Sequence, residues 1–322
     1  MRILVAGGAG YIGSALVPRL IECGYDVHVV DELWFGNHLP PGVRVLQQGV
    51  LSLHERDVQG FDQVICLAGL SNDPMAEYSP SLNFVENGAS PAYLAYLAKR
   101  AGVSRFIYGG SCSVYGYAVN EFSHEGSAAS SNYPYGISKL QGEFGSMQLQ
   151  DDRFSVIALR QGTVSGYSPR MRLDLIVNTM FKTAVQDGVI TVNNPAIWRP
   201  ILAIQDAVSA YVRAVEAPSG ISGIFNVASG NFTVGEVADS VKRGLKESLG
   251  LEPRIDIQHI QDFRNYKVSL ERAEQILSFR PRHDIESIVR ELAQNMNAFT
   301  PFDQDQYYNI RTFKALFPDP AQ

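Results

Sequence analysis

The stretch VAGGAGYIG, Val5 to Gly13, decides how the rest of the chain is read. It grows out of the apolar run Ile3-Leu4-Val5-Ala6, which reads as a buried strand. Gly7, Gly10 and Gly13 are spaced G-x-x-G-x-x-G, and an apolar-periodic helix begins within the loop (Ile12, Leu16, Leu20). Glycines at such places allow a tight turn, close backbone approach to a diphosphate and close helix–strand packing. The helix N-terminus offers free N–H groups and a positive dipole end to an anion. A second strand, Asp26 to Val30, ends at Asp31, roughly 20 residues past the glycines, where a dinucleotide fingerprint puts its acid. A carboxylate there accepts hydrogen bonds from an adenosine ribose and repels a 2′-phosphate, so NAD is expected in preference to NADP. Loop glycines and a turn-capping Asp would account for each part alone. The order strand, glycines, helix, strand, acid is what points to dinucleotide binding.

Working outward, strands and helices alternate over the first half. Strands are read at 43–46, 64–68, 105–108 and 155–159, with helices at 88–101 and 134–150. Such alternation implies an α/β fold, a Rossmann-type doubly wound parallel sheet with helices on both faces, whose ligands bind beyond the carboxyl ends of the strands. After residue 165 the pattern becomes mixed. Helices are read at 173–186, 234–248, 270–277 and 284–298, and strand-like runs at 189–192 and 224–227, with a Trp198-Arg199-Pro200 segment between. Thr233 and Asp284 suit the N-caps of two of these helices. The tail from Phe299 to Gln322 is rich in aromatics, Pro and Asp and is expected to pack without long secondary structure. Residues 1–165 therefore read as an NAD-binding domain, to which later segments return, and 166–322 mainly as a smaller, mixed α/β substrate-binding region and tail.

Composition narrows the class. With 322 residues, 45% hydrophobic and 19% charged, the chain can bury a large core. A net charge of −6 gives no electrostatic footprint for nucleic acid or an anionic membrane. No apolar run reaches transmembrane length, and the chain opens on a strand without a leader pattern. Cys23, Cys66 and Cys112 are far apart in or beside apolar segments and read as reduced thiols, with no zinc spacing. A cytoplasmic protein without a metal is expected.

The chemistry is carried further along. Tyr135 and Lys139 stand four apart, on one face of a helix. A free tyrosine titrates near about pH 10, and acting as a base near neutrality requires a drop of about three pH units, about 4 kcal/mol. A nearby ammonium and a cationic nicotinamide would favour the phenolate. Tyr-x3-Lys also occurs on ordinary amphipathic helices. Here the segment Gly110-Ser111-Cys112-Ser113-Val114-Tyr115-Gly116 precedes it, just past the fifth strand, and can supply a hydroxyl at the sheet's carboxyl edge.

With these residues in view the sequence resembles the extended short-chain dehydrogenase/reductase family, in its nucleotide-sugar epimerase/dehydratase branch. The resemblance rests on GGAGYIG, Asp31, CLAGLSNDP (66–74), Asn87, RFIYGGSCSVYG (105–116), YPYGISK (133–139), LRQGTVSG (159–166), the Arg199 segment and FNVASG (225–230). It implies a catalytic set of Ser111, Tyr135 and Lys139, with Lys139 also holding the nicotinamide ribose. It implies cofactor contacts from Gly7, Gly10, Tyr11, Ile12, Gly13, Asp31 and the backbone Leu67-Ala68-Gly69, with Asn87 positioning the loop after the fourth strand. For a sugar-nucleotide diphosphate it implies Asn178, Arg199 and Arg264; guanidinium groups suit that task as permanently charged bidentate donors. Arg170 and Arg172 form a second basic pair, for which a solvated helix start is an equal reading.

The departures are informative. The related dehydratases carry an Asp-Glu pair directly after the position of Ser111, and this chain has Cys112 and Ser113. The related 3,5-epimerases carry a cysteine where Ser113 stands. In an extended segment Ser111 and Ser113 would face substrate and Cys112 would point into the fold. Val50 replaces an adenine-contacting acid in Gln48-Gly49-Val50, and Thr163 replaces an Asn that contacts sugar. Asp73 and His124 fall in loops on the active-site side and are candidates for an extra acid or base, with a turn-forming Asp and an exposed His as the preferred readings. The implied activity is an NAD-dependent nucleotide-sugar epimerase, at C4 through a transient 4-keto sugar. The alternative is a nucleotide-4-keto-sugar reductase; a dehydratase or a non-catalytic NAD-binding regulator fits less well. A homodimer is implied too, through the apolar outer faces of the helices at 88–101 and 134–150.

Overall fold

The structure is a computed structural model and describes residues 1–258 and 265–319. Its strands are β1 (Arg2–Ala6), β2 (Asp26–Val30), β3 (Arg44–Leu46), β4 (Gln63–Cys66), β5 (Arg105–Ser111), β6 (Tyr117–Ser123) and β7 (Ser155–Gln161) in the first half. The second half adds β8 (Thr163–Ser165), β9 (Val189–Asn193), β10 (Trp198–Ala203), β11 (Gly223–Val227), β12 (Gly230–Thr233), β13 (Arg254–Gln258) and β14 (Asn265–Val268). Seven of them form a parallel sheet in the order β11-β7-β5-β4-β1-β2-β3. Strand order reverses at β1, between β2 and β4. A doubly wound sheet opens its ligand crevice at such a switch.

Strand periodicity assigns the two faces. Ile3, Val5, Ile65, Ile107 and Ile157 pack on one side, and Leu4, Ala6, Val64, Phe106 and Val156 on the other. Every residue of β5 and β7 is buried, as expected for central strands covered on both faces. A third core, including Phe181, Ile190, Val237 and Ile288, holds the second half together.

The helices are α1 (Tyr11–Glu22), α2 (Glu55–Val58), α3 (Asp73–Tyr78), α4 (Pro80–Phe84), α5 (Ser90–Arg100), α6 (Pro134–Met147), α7 (Ile176–Asp187), α8 (Ile204–Glu216), α9 (Val234–Leu249), α10 (Glu271–Leu277), α11 (Ile285–Gln294) and α12 (Asn309–Leu316). Thr233 caps α9 in a capping box with Glu236, and the Asp284 side chain accepts from Ser287 N to cap α11. Among the described residues no helix is long and apolar enough to cross a membrane.

Several elements go beyond the sequence reading, and three of them bear on the site or the main sheet. Helix α8 was not anticipated. It follows β10 without a turn, its N-cap Ala203 offers no side-chain cap, and its C-terminal end is satisfied from a distance. Buried Arg105 at the start of β5 donates to the carbonyls of Ala214, Val215, Ala217 and Pro218. A guanidinium there meets both the orphan carbonyls and the negative dipole end. β6 was also missed; it pairs with β14. The tail carries α12, whose partners are remote in the chain. Strand β11 and helix α8 return to the main sheet although they lie beyond residue 165.

Candidate active site

Ser111 is the last residue of β5, and Thr163 opens β8 immediately after β7, so both lie at the carboxyl edge of the sheet. Cys112–Tyr115 then turns as a short 3-10 helix. The alternation argument for an extended segment therefore does not apply. Ser111 and Ser113 nevertheless both line the cavity, while Cys112 is fully buried with its Sγ donating to Arg160 O. The Ser111 hydroxyl accepts from Ser113 N at 3.2 Å, and it stands near enough to the Tyr135 phenol to favour its ionised form.

Tyr135 and Lys139 lie in the first turns of α6, which starts with Pro134 at its N1 position. Lys139 Nζ sits 4.7 Å from the Tyr108 ring centroid, and Tyr108 Oη donates to Lys139 O. One turn further, Glu143 forms a buried bidentate pair with Arg160 of β7, at 2.6 and 2.8 Å. Arg160 also donates to Tyr115 Oη, which donates to Asn226 Oδ1. Because these charges are matched and hydrogen-bonded, the network fixes the azimuth of α6 and with it the direction of Tyr135.

Protonation differs from the sequence expectation. Burial pushes Tyr135 up to about 12; the Asp73 carboxylate adds to this, and Ser111 and Arg172 oppose it. Burial pulls Lys139 down to about 8. The protein alone therefore presents a neutral phenol and a destabilised ammonium, and lacks the positive charge that would make the phenol a base.

These groups open into a cavity of about 490 Å3 between the glycine loop, the β4, β5 and β7 strand ends, and a wall from the second half. Gly7, Gly10, Tyr11, Ile12 and Gly13 line it, with Leu67 and Gly69 after β4. Asn87 lies behind this lining, its amide donating to Leu70 O and Asn83 Oδ1 so as to hold the loop after β4.

The substrate side differs from the expectation. Asn178 does not line the cavity: its amide accepts from Gly166 N and donates to Arg172 O and Tyr11 Oη, tying the 166–172 loop to α1. Arg199 is also absent from the lining; it donates to Trp198 O along β10. Arg264 lies outside the described residues. The cavity is instead lined by Arg170 and Arg172, both buried and in a non-helical stretch before α7. The solvated-helix reading of this pair is overturned because remote groups surround it. Arg172 forms a bidentate pair with Asp174, which Asn72 also contacts. Arg170 lies 3.7 Å over the Phe35 ring and donates to Asn309 Oδ1. Asp73 also lines the cavity as the first residue of α3. No local pattern marked Trp34, Phe35, Asn309 or Ile310, which complete the wall.

Residues 3–228 match the NAD dependent epimerase/dehydratase family. The chain belongs to that family. UDP-glucuronic acid decarboxylase 6 of Arabidopsis thaliana is 26% identical over 300 residues, covering 88% of this chain and 84% of that protein. UDP-glucose 4-epimerase of Neisseria gonorrhoeae is 25% identical over 291 residues, covering 79% and 86%. The structure of MoeE5 in complex with UDP-glucose and NAD superposes with a TM-score of 0.80 at 25% identity, covering 92% of this chain and 99% of that one. Relatives with different reactions thus share one fold, and the family's cofactor is NAD.

The residues of this family member fit that cofactor. Gly7 (φ +78) leaves no room for a side chain, since a Cβ would lie 2.4 Å from Ala68 N. Arg170 Nε is buried without a hydrogen-bond partner beside the glycine loop, where an anion would satisfy it. Asp31 Oδ2 and Oδ1 each accept one backbone N–H, from Ala9 and Leu33, and retain capacity for hydroxyl donors. A smaller cavity of about 110 Å3 adjoins Asp31, lined also by Ala68, Val50, Gln48, Glu32 and Glu86. Three carboxylates around one pocket oppose a 2′-phosphate. Val50 stands in this lining where the resemblance implies an acid, and Glu86 adds a carboxylate to the same lining.

Proposed function

We propose that the protein is an NAD-dependent nucleotide-sugar epimerase that inverts C4 through a transient 4-keto sugar. One observation carries this reading: Ser111, Tyr135 and Lys139 converge in the same cavity, with no carboxylate at residues 112 and 113 for eliminating water. In this reading the glycine loop and Arg170 hold the cofactor diphosphate, Asp31 the adenosine ribose, and Lys139 the nicotinamide ribose. Bound NAD supplies a hydride acceptor that is regenerated within each cycle, together with the positive charge that the phenol lacks.

Tyr135 takes the C4 hydroxyl proton, with Ser111 bridging the phenol and the sugar oxygen. The same phenol returns the proton once the keto sugar has presented its other face. The Glu143–Arg160 pair keeps α6 from rotating, so the two half-reactions meet the base in one place. Ser113 and Thr163 contact the sugar, and Arg172, steadied by Asp174, neutralises the sugar-nucleotide diphosphate. Two copies associate through α5 and α6, whose surfaces expose Tyr96 and Phe144.

The test is to incubate the protein with UDP-glucose and related sugar nucleotides, following sugar composition together with absorbance of reduced nicotinamide. Isomerisation without net reduced cofactor is expected, and Tyr135→Phe should lower turnover by about 10²- to 10⁴-fold. Stoichiometric consumption of added NADH with a 4-keto sugar would assign the reductase instead. Full turnover by Tyr135→Phe would remove the phenol from the role of base.

A further inference from the structure

The tail helix α12 is the least expected part of the cavity wall. Asn309, 4% exposed, stands at its start. Its Oδ1 accepts from Arg170 Nη2 and its Nδ2 donates to Ser71 Oγ, so one amide joins the cofactor-side guanidinium to the loop after β4. Ile310 lines the cavity next to it. The rest of the helix is clamped from both sides. Phe313 is fully buried, with ring centroids 5.8 Å from Trp34 and 6.0 Å from Tyr78. Phe317 lies 5.2 Å from Trp34, and Tyr78 Oη donates to Phe317 O at 2.9 Å. Trp34 belongs to the loop after β2 and Tyr78 to α3, so the tail bridges two edges of the cleft.

We propose that Asn309 is a positioning residue that ties Arg170 to the loop after β4 and makes α12 a strap over the bound dinucleotide, so that cofactor release requires this helix to undock. The inference deepens the epimerase reading, on which it rests: an enzyme that regenerates its cofactor in place gains from retaining it, whereas a reductase must exchange it every turnover. The clamp is a small aromatic cluster at a chain end, a type of contact that opens locally without global unfolding. Losing a hydrogen bond to a charged group costs enough to shift such an opening equilibrium by about tenfold or more.

The experiment measures exchange of bound NAD against labelled NAD with no sugar nucleotide present. Asn309→Ala should exchange about tenfold faster than the unmodified protein. Because a strap slows entry as well as exit, the equilibrium NAD affinity of the variant should fall by a smaller factor. Exchange within twofold of the unmodified protein overturns the proposal, as does an increase no larger than the loss of affinity. Hydrogen exchange of the unmodified protein gives an independent arm should the variant misfold: saturating NAD should protect the amides of residues 308–317. Unchanged protection there also overturns the strap. Neither measurement needs a sugar substrate, so an absent epimerase activity with slow, Asn309-dependent exchange would reject the function and leave the strap standing.

Discussion

On one side of the cavity Gly7 to Gly13 face a ligand with backbone; on the other, Arg170, Arg172 and Asn309 face it with side chains carried in by distant segments. The first surface is set mainly by local geometry: a strand, a turn in which Gly7 takes a positive φ and Gly13 packs on the Gly8 backbone, and a helix start, all within a few residues of one another. The second exists only after folding, when Phe35 and Asn309 close on Arg170 and Ser71 takes the tail amide. Backbone recognition should therefore fail abruptly on adding one atom, whereas side-chain recognition should fail in steps.

The largest break in that contrast is expected from Gly7→Ala. The added Cβ would lie 2.4 Å from Ala68 N and 2.7 Å from Leu67 C, at a φ of +78 that side chains rarely adopt. Strain and overpacking together should cost about 3–5 kcal/mol. NAD affinity should fall by more than about 100-fold, and thermal unfolding with an NAD titration checks both quantities. A variant that keeps its affinity would mean that the loop approaches no diphosphate.

Lys139→Met sharpens the comparison, because here function and stability are expected to move in opposite directions. The ammonium is buried over the Tyr108 ring, and burial lowers it from 10.5 to about 8. At 1.36 kcal/mol per pH unit, that corresponds to about 3 kcal/mol of destabilisation in the cofactor-free protein. The sign follows from linkage. Below pH 8 the lysine is charged in both folded and unfolded chains, so the penalty is fully present. Between about 8 and 10.5 the folded chain sheds the proton first, and the penalty fades as pH rises. Cofactor-free Lys139→Met should therefore be more stable than the unmodified protein at pH 7, with the gap closing toward pH 10. Its turnover should fall by about 100-fold or more, since the nicotinamide ribose loses the ammonium proposed to hold it in place. Denaturant unfolding across pH reads the first effect and steady-state kinetics the second. A destabilised Lys139→Met at pH 7 would show that the ammonium is better compensated than its burial implies.

What could be read from the sequence divides along the same line. The glycine loop, Asp31, the caps Thr233 and Asp284 and the Ser111–Tyr135–Lys139 grouping were legible because each expresses a short-range rule or a recurrent motif. The burial of Cys112 was reached by an argument from extended geometry that the 3-10 turn does not satisfy; its partner is Arg160 O, 48 residues away. Helix α8 was hidden because its C-terminal cap, Arg105, stands more than 100 residues earlier. Arg170 and Arg172 read as solvated because nothing near them announces Phe35, Asn309 or the cavity. Asn178 was placed on the ligand because its neighbourhood resembles a ligand-binding one, yet its amide is occupied by Gly166, Arg172 and Tyr11. Residue types can be read from a local motif, but the direction in which a side chain points depends on which distant segment reaches it first.

The smallest effect on the single chain is expected at the outer surface of α5 and α6, where the proposed dimer contact lies. Phe144 is 65% exposed and Tyr96 48% exposed, while Gly145, beside Phe144, approaches Ala92 closely between the two helices. An aromatic side chain left this open contributes little to the fold of one copy, so Phe144→Lys should change monomer stability by less than about 0.5 kcal/mol. In a dimer the same substitution places an ammonium in an apolar contact of two copies, twice by symmetry. Sedimentation or light scattering should then show a dimer for the unmodified protein and a species of half that mass for the variant at the same concentration. Cavity residues are untouched, so NAD affinity should stay within about twofold. A monomeric unmodified protein would reduce Phe144 to a surface residue without a partner. A dimeric Phe144→Lys would move the contact to another face, since no packed interface accepts two unpaired charges at its centre without weakening.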